Sequence, residues 1–167
     1  MVDFKSNEMP WSKLKRSMES RLAGSLEGRV QIHVTRYRRG GDDEIGRMWM
    51  TLGKQQIFSS GDALSETKEQ WYLKDDCVYF NRMNDNHLSE EALLTSLDAS
   101  IEDILTSSHP LVRALAMFDK RVGKRRLQAL STTIENEPLI VRHFYALRCH
   151  AEGMRLEDAM NCQTPSQ

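Results

Sequence analysis

The stretch FDKRVGKRRL, Phe118 to Leu127, packs five cations into seven residues around a single glycine, Gly123. Residues of these types can cradle a nucleotide phosphate, grip a nucleic-acid backbone, or form the wet side of a helix. A phosphate-binding P-loop needs G-x-x-x-x-G-K-[ST], because stacked backbone N–H groups hold the phosphates and the hydroxyl holds magnesium. Here Phe118 stands five residues before Gly123 and Arg125 follows Lys124, so the pattern fails at both ends. On a helical wheel begun at Asp119, Val122, Leu127, Ala129 and Leu130 fall on one side, with Lys120, Arg121, Lys124 and Arg125 opposite. These four cations are the candidate anion or nucleic-acid contacts, and without interleaved aromatics they can meet a phosphate backbone but not stack on bases. The plainer reading of the same wheel is a surface helix with a solvated basic stripe. Arg126 projects onto the apolar side together with Asp119, where a guanidinium must be paired or the helix must break at Gly123. Asp119 and Arg126 are therefore expected in a structural ion pair, with the acidic 88–103 segment as a further source of carboxylates.

A second candidate surface lies on strands. In RVQIHVTRYR, Val30, Ile32 and Val34 alternate with polar residues, and GRMWMTL repeats the pattern with Met48, Met50 and Leu52. The polar face of this predicted hairpin presents Arg29, Gln31, His33, Thr35, Tyr37, Arg47, Trp49 and Thr51. Arg29, His33, Tyr37, Arg47 and Trp49 combine cations with rings, the ingredients of a single-strand RNA platform. The closely spaced aromatics of an RNP signature are missing, however, and an open polar face is the ordinary fate of an antiparallel sheet.

Other chemistry finds little support. The histidines, at 33, 87, 109, 143 and 150, form no H-E-x-x-H or H-x-H, and Cys77, Cys149 and Cys162 form no C-x-x-C, so no metal site is expected. His143 and His150 stand two helical turns apart with Cys149 adjacent, a spacing more common in ordinary helix surfaces than in zinc sites. No G-x-S-x-G occurs, and the paired acids Asp42-Asp43, Asp75-Asp76 and Glu90-Glu91 sit at loops or helix starts, as turn and capping residues do. No cofactor is implied, and an enzyme ranks third among the functional readings.

The elements that must position these residues follow from the apolar spacing. Leu14, Met18, Leu22 and Leu26 recur every four residues, with Trp11 one turn earlier, which predicts an amphipathic helix ending at Gly28. The hairpin follows, its distal loop RGGDDEIG, and Gly53-Lys54 turns the chain into a third strand through Phe58. Residues 59–74 are ambiguous between loop and helical turns, and DDCVYFNRM supplies a fourth strand. From Leu88 onward the pattern is helical. Ser89 is the expected N-cap, and Leu93, Leu97, Ile101 and Ile104 form the stripe. Pro110 opens another helix, and Asn136-Glu137-Pro138 announce a last one, striped by Ile140, Phe144, Leu147 and Ala151 and ending near Gly153.

A chain of 167 residues is one domain that buries about 70% of its unfolded surface. With 40% apolar and 28% charged residues it reads as soluble and folded, 1–153 forming the domain and 154–167 a flexible tail. The odd cysteine count argues against a disulfide framework and, with no apolar leader or spanning run, for the cytoplasm without membrane association. Net charge is −1, yet residues 1–60 carry +4, 61–108 carry −8 and 109–167 carry +3, so the charges either pair internally or face a partner.

HPLVRALAMFDKRVGKRRLQAL, with WSKLK, LEGRVQIHVTRYR and FYALRCHAEG, resembles a family of small uncharacterised bacterial proteins over about Trp11 to Gly153. Its most distinctive run is carried here by Asp119, Arg121, Gly123, Lys124 and Arg125. The resemblance implies a bacterial cytoplasmic setting and supplies no catalytic residue.

Strands followed by helices predict an α+β domain: an N-terminal helix, an antiparallel meander of three to four strands, then three to four C-terminal helices. The function expected first is a non-enzymatic module that binds a protein partner or itself as a homo-oligomer. Nucleic-acid binding through the 120–126 segment or the hairpin face is the alternative.

Overall fold

The computed structural model describes residues 10–39, 42–60, 70–81 and 87–155. Among them, helix α1 (Trp11–Ser20) precedes strands β1 (Val30–Arg39), β2 (Asp42–Leu52), β3 (Gln55–Ser60), β4 (Gln70–Lys74) and β5 (Cys77–Asn81). Helices α2 (His87–Asp98), α3 (Ile101–Leu105), α4 (Pro110–Phe118), α5 (Lys124–Leu130) and α6 (Leu139–Ala151) follow. The architecture is α+β in the expected order: helix, sheet, helices.

The sheet has the order β1-β2-β3-β5-β4. Its first three strands are the antiparallel meander read from sequence, and Gly53 makes the β2–β3 turn at φ 60°. Two features differ from the expectation. There is an additional strand, β4, within the ambiguous stretch, and β5 inserts between β3 and β4 so that β3 and β5 run parallel. The sheet is therefore mixed, because a strand returning from an edge hairpin has only one free partner and meets it in the parallel sense. Asp75 and Asp76, both at positive φ (51° and 57°), form the two-residue turn from β4 to β5. That is the type I′ conformation matching strand twist, and aspartate tolerates it better than most side chains. On the β1–β2 hairpin, Gly46 is skipped where Thr35 pairs with Arg47 and Arg36 with Ile45, and beyond it Arg38 and Arg39 stand in register with Asp43 and Asp42.

One face of the sheet carries the core. Val30, Ile32, Met48, Met50, Phe58 and Val78 are buried there against α1, α2 and α6. Helix α4 is apolar apart from Arg113, which pairs with Glu137 at 2.9 Å, and with seven of its nine residues buried it packs against α2, α3 and α6 as the helical layer's centre. Its start is as expected: Pro110 occupies the first turn and His109 caps it, its Nδ1 accepting from the Leu111 N–H at 3.2 Å.

Three helix boundaries differ from the periodicity. The α1 stripe is buried as far as Leu26, but the helix ends at Ser20, because Leu22 and Ala23 pair with Asp119 and Phe118 as a short antiparallel bridge. The helix expected from Leu88 onward splits at Ser100, whose Oγ accepts from the Asp103 N–H and donates to the Asp103 carboxylate, a side-chain cap that starts α3. Ser89 lies inside α2, which begins at His87, so it is not the N-cap. Helix α6 ends as predicted: Gly153 (φ 69°) donates to the His150 carbonyl and Met154 to the Cys149 carbonyl, a Schellman closure.

Replacing Asp76 by glycine removes left-handed strain from the β4–β5 turn without touching the core. Thermal unfolding is expected to show stabilisation of about 1 kcal/mol, a rise of roughly 2–4 °C in Tm, whereas Asp76→Ala gains nothing.

Candidate functional site

The 119–126 segment is two structures joined at Gly123, not the continuous helix projected from Asp119. Asp119 leaves helical geometry at the end of α4 (φ −72°, ψ 134°), residues 120–123 turn, and α5 starts at Lys124 with Gly123 as its N-cap. The turn is made by its own side chains. Asp119 Oδ1 accepts from the Arg121 backbone N–H (2.8 Å) and from Arg121 Nε (3.0 Å), while Arg121 Nη2 donates to Asp119 Oδ2 (2.8 Å). This bidentate fork is among the stronger ion-pair geometries. Burial depresses the Arg121 pKa less than the Asp119 hydrogen bond and charge raise it, so the guanidinium is held above its ordinary value. Arg121 also reaches the carbonyls of Ala99 and Ser96, tying the turn to the α2–α3 corner.

The turn closes around a cation from elsewhere. Arg148, in the last turn of α6 and 3% exposed, donates from Nη1 to the carbonyls of Met117 (2.9 Å) and Asp119 (3.2 Å) and from Nη2 to that of Val122 (2.7 Å). Its Nε donates to Glu152 Oε1 at 2.8 Å, four residues on. A guanidinium held this way is satisfied by charge and by dipole together. Burial pushes the Glu152 carboxyl up, but hydrogen bonds from Ser25 Oγ (2.8 Å) and Arg148, with the charges of Arg148 and Lys124, bring it below the usual range.

Each residue singled out in the basic segment now has a place. Lys120 is exposed, with Nζ on the Ser20 carbonyl at the end of α1 (3.0 Å). Arg121 faces inward, and Lys124 is exposed with Nζ 3.9 Å from Glu152. Arg125 is exposed and makes no hydrogen bond or ion pair with any described residue. Asp119 and Arg126 are both ion-paired, but not to each other: Asp119 holds Arg121, and Arg126 reaches Glu102 of α3 at 2.6 Å across a surface where both side chains are exposed. The break at Gly123 accounts for the change of partner, because it rotates Arg126 away from Asp119. Arg148, which organises all of this, was passed over. It falls seven residues after Val141 on the stripe of Val141, Phe144 and Tyr145, and an arginine at such a position followed four later by glutamate signals an internal pair.

On the sheet, His33 and Trp49 are directly opposed in register, and their rings stack at 5.2 Å and 16°. His33 Nε2 shares a 3.2 Å hydrogen bond with Thr51 Oγ1. Burial lowers the His33 pKa, as does the charge of Lys15 on α1, with Glu19 acting against them. Arg29 is exposed just before β1 and donates to the Ser25 carbonyl (3.3 Å). The side chains of Tyr37 and Arg47 lie outside the described residues.

No group of three or more histidine, cysteine or acidic side chains that could hold a metal occurs among the described residues, where Cys77 and Cys149 are buried and not joined in a disulfide. Burial pushes the Cys149 thiol up. The best-formed cavity, beneath α1 between Met18, Ile32, Leu115 and the polar groups of Arg21, Ser96 and Asp119, is about 20 Å³, room for one water molecule. No helix of the described residues is long and apolar enough to cross a membrane.

Arg148→Met strands three carbonyls and Glu152 in the interior. Denaturant unfolding should show a loss of about 3 kcal/mol or more, with Arg148→Lys intermediate because an ammonium cannot span the same acceptors. A pH dependence also follows. His143, on α6, has its Nε2 buried without a partner, and burial lowers its pKa, partly offset by Asp76. With His33 and His143 both depressed below 6.5, the unfolded chain takes up protons first, so stability is full above pH 6.5 and falls as the pH drops through the folded-state values. A second loss begins below 4.5, where Glu152 protonates in the unfolded chain before it does in the folded one. The wild-type Tm should decline between pH 7 and pH 5, and His143→Gln should show a shallower decline over the same window.

No curated protein and no solved structure matches the chain significantly. A protein-family model does match, over residues 10–91 and 79–149, taking in α1, the sheet, the Asp119 turn and nearly all of α6, including Arg148. The chain belongs to the SF0329 protein family.

Proposed function

We propose that the protein is a non-enzymatic module of the bacterial cytoplasm that associates with a second copy of itself through the open face of its sheet. The observation that carries this reading is the composition of that face. Helices α1, α2 and α6 pack against the core side, while the other side offers Gln31, His33, Thr35, Trp49, Thr51 and Tyr79, none of them charged at neutral pH, with exposed Lys74 at the end of β4 on its far edge. In a chain with 28% charged residues, an aromatic and hydroxyl surface without them has the make-up of an interface centre. Arg47, in register with Thr35, marks its distal margin.

A symmetric dimer brings each residue near its own image, which penalises any charged patch and favours a neutral one with both donors and acceptors. Ten residues of β1 extend about 33 Å and five strands span about 19 Å, so with the shorter inner strands the face offers about 600 Å² per copy. That lies at the lower end for specific association and fits a concentration-dependent dimer. The His33–Trp49 stack argues against the single-strand RNA platform, because the two rings cover each other instead of lying flat for bases. Cys77 and Cys149, buried and not joined in a disulfide, support a reducing compartment.

Light scattering on a size-exclusion column over a range of concentrations tests the reading. A dimer is expected at about 100 µM that Gln31→Glu, an exposed substitution without effect on folding, converts to monomer. A wild-type monomer throughout, or a dimer indifferent to Gln31→Glu, overturns it.

A further inference from the structure

We infer that a separate basic surface, assembled from the exposed flank of α1, the residues that follow it and the 120–125 segment, binds the phosphate backbone of a nucleic-acid duplex. The segments are joined by backbone: the Lys120 N–H donates to the Arg21 carbonyl (2.7 Å), Lys120 Nζ to Ser20, and the Ala23 N–H to the Phe118 carbonyl (2.8 Å). Arg16 lies one turn before Ser20 on the same exposed stripe of α1. On the other side of the junction, Glu152 accepts from Ser25 beside Lys124, and Arg29 donates to the Ser25 carbonyl. Arg16, Arg29, Lys120, Lys124 and Arg125 are all exposed, and the contacts through Ser20, Ser25 and Glu152 join the segments that carry them.

The positive charge persists because the nearby carboxylates are already committed inward. Asp119 is held by Arg121 and Glu152 by Arg148, leaving exposed Glu27 as the opposing charge among the junction residues. Between the cations the surface is built of Ser20, Gly24, Ser25 and Gly123, and a side-chain carbon added at either glycine would meet nothing within 4 Å. A bulky chain can approach such a backbone closely. The surface carries no ring for base stacking and no large apolar side chain for lipid, since the exposed large hydrophobic among the described residues is Leu73, on β4. Cations without rings or apolar anchors fit sequence-independent contact with phosphates.

Fluorescence anisotropy of a labelled DNA duplex, titrated with the full chain across a salt series, tests this. With four to five phosphate contacts the log–log salt slope should be about −4, and Arg16→Gln or Arg125→Gln, each removing a cation without a described partner, should lower it by about 0.9 apiece. Gln31→Glu, on the sheet face, should leave the slope unchanged, so the two proposals fail separately. Absence of binding at about 50 mM salt, a slope indifferent to Arg16→Gln and Arg125→Gln, or preference for phosphatidylserine vesicles or polyglutamate over duplex would overturn the assignment.

Discussion

A charged guanidinium taken out of water costs several kcal/mol unless its donors and its charge are both answered, and Arg148 sets that condition at the centre of the helical layer. Three carbonyls answer most of the donors, those of Met117, Asp119 and Val122. For these oxygens to converge, the chain cannot continue as a helix beyond Phe118. The carbonyls at the end of α4 also carry the negative end of its dipole, which favours a cation there. The Asp119–Arg121 fork then fixes the turn, and Val122, fully buried, anchors it in the core.

The same arrangement sorts the molecule's charges. Ion pairs directed inward engage Asp119 and Glu152 and leave Lys120 and Arg125 outside without a counter-charge among the described residues. On the sheet the sorting runs the other way, with a neutral patch around Trp49 and His33 bounded by the charged end of the hairpin. The molecule thus carries two surfaces of different character, one uncharged and ring-bearing, the other cationic and built on small residues.

Features resting on local spacing were legible in the sequence. The Leu14–Leu26 stripe, the Gly53 turn, the Pro110 start and the Gly153 stop depend on residues within a turn or two of one another. What escaped depends on distant partners. Nothing near Leu22 announces a bridge to Asp119, and the parallel pairing of β5 with β3 leaves no mark on either strand. Other signals were present but outweighed. QWYLK followed by two aspartates reads as strand and turn once an I′ geometry is allowed, and Ser100-Ile-Glu-Asp103 carries a side-chain cap hidden inside a longer apolar stripe. Arg148 was masked by the apolar residues around it, and the basic segment drew the eye to its exposed cations although its conformation is decided by Asp119 and Arg121.

The bridge between the end of α1 and the Asp119 turn also has a meaning in time. Lys120 and Ser20 are 100 residues apart, and Arg148 must emerge later still before the turn has its central ion. At synthesis rates of about 5–20 residues per second, the first helix waits roughly 5–20 s on the ribosome for the part of its cover that the 118–120 segment supplies. For that interval the nascent chain presents an incompletely covered amphipathic segment to whatever chaperone surface it meets.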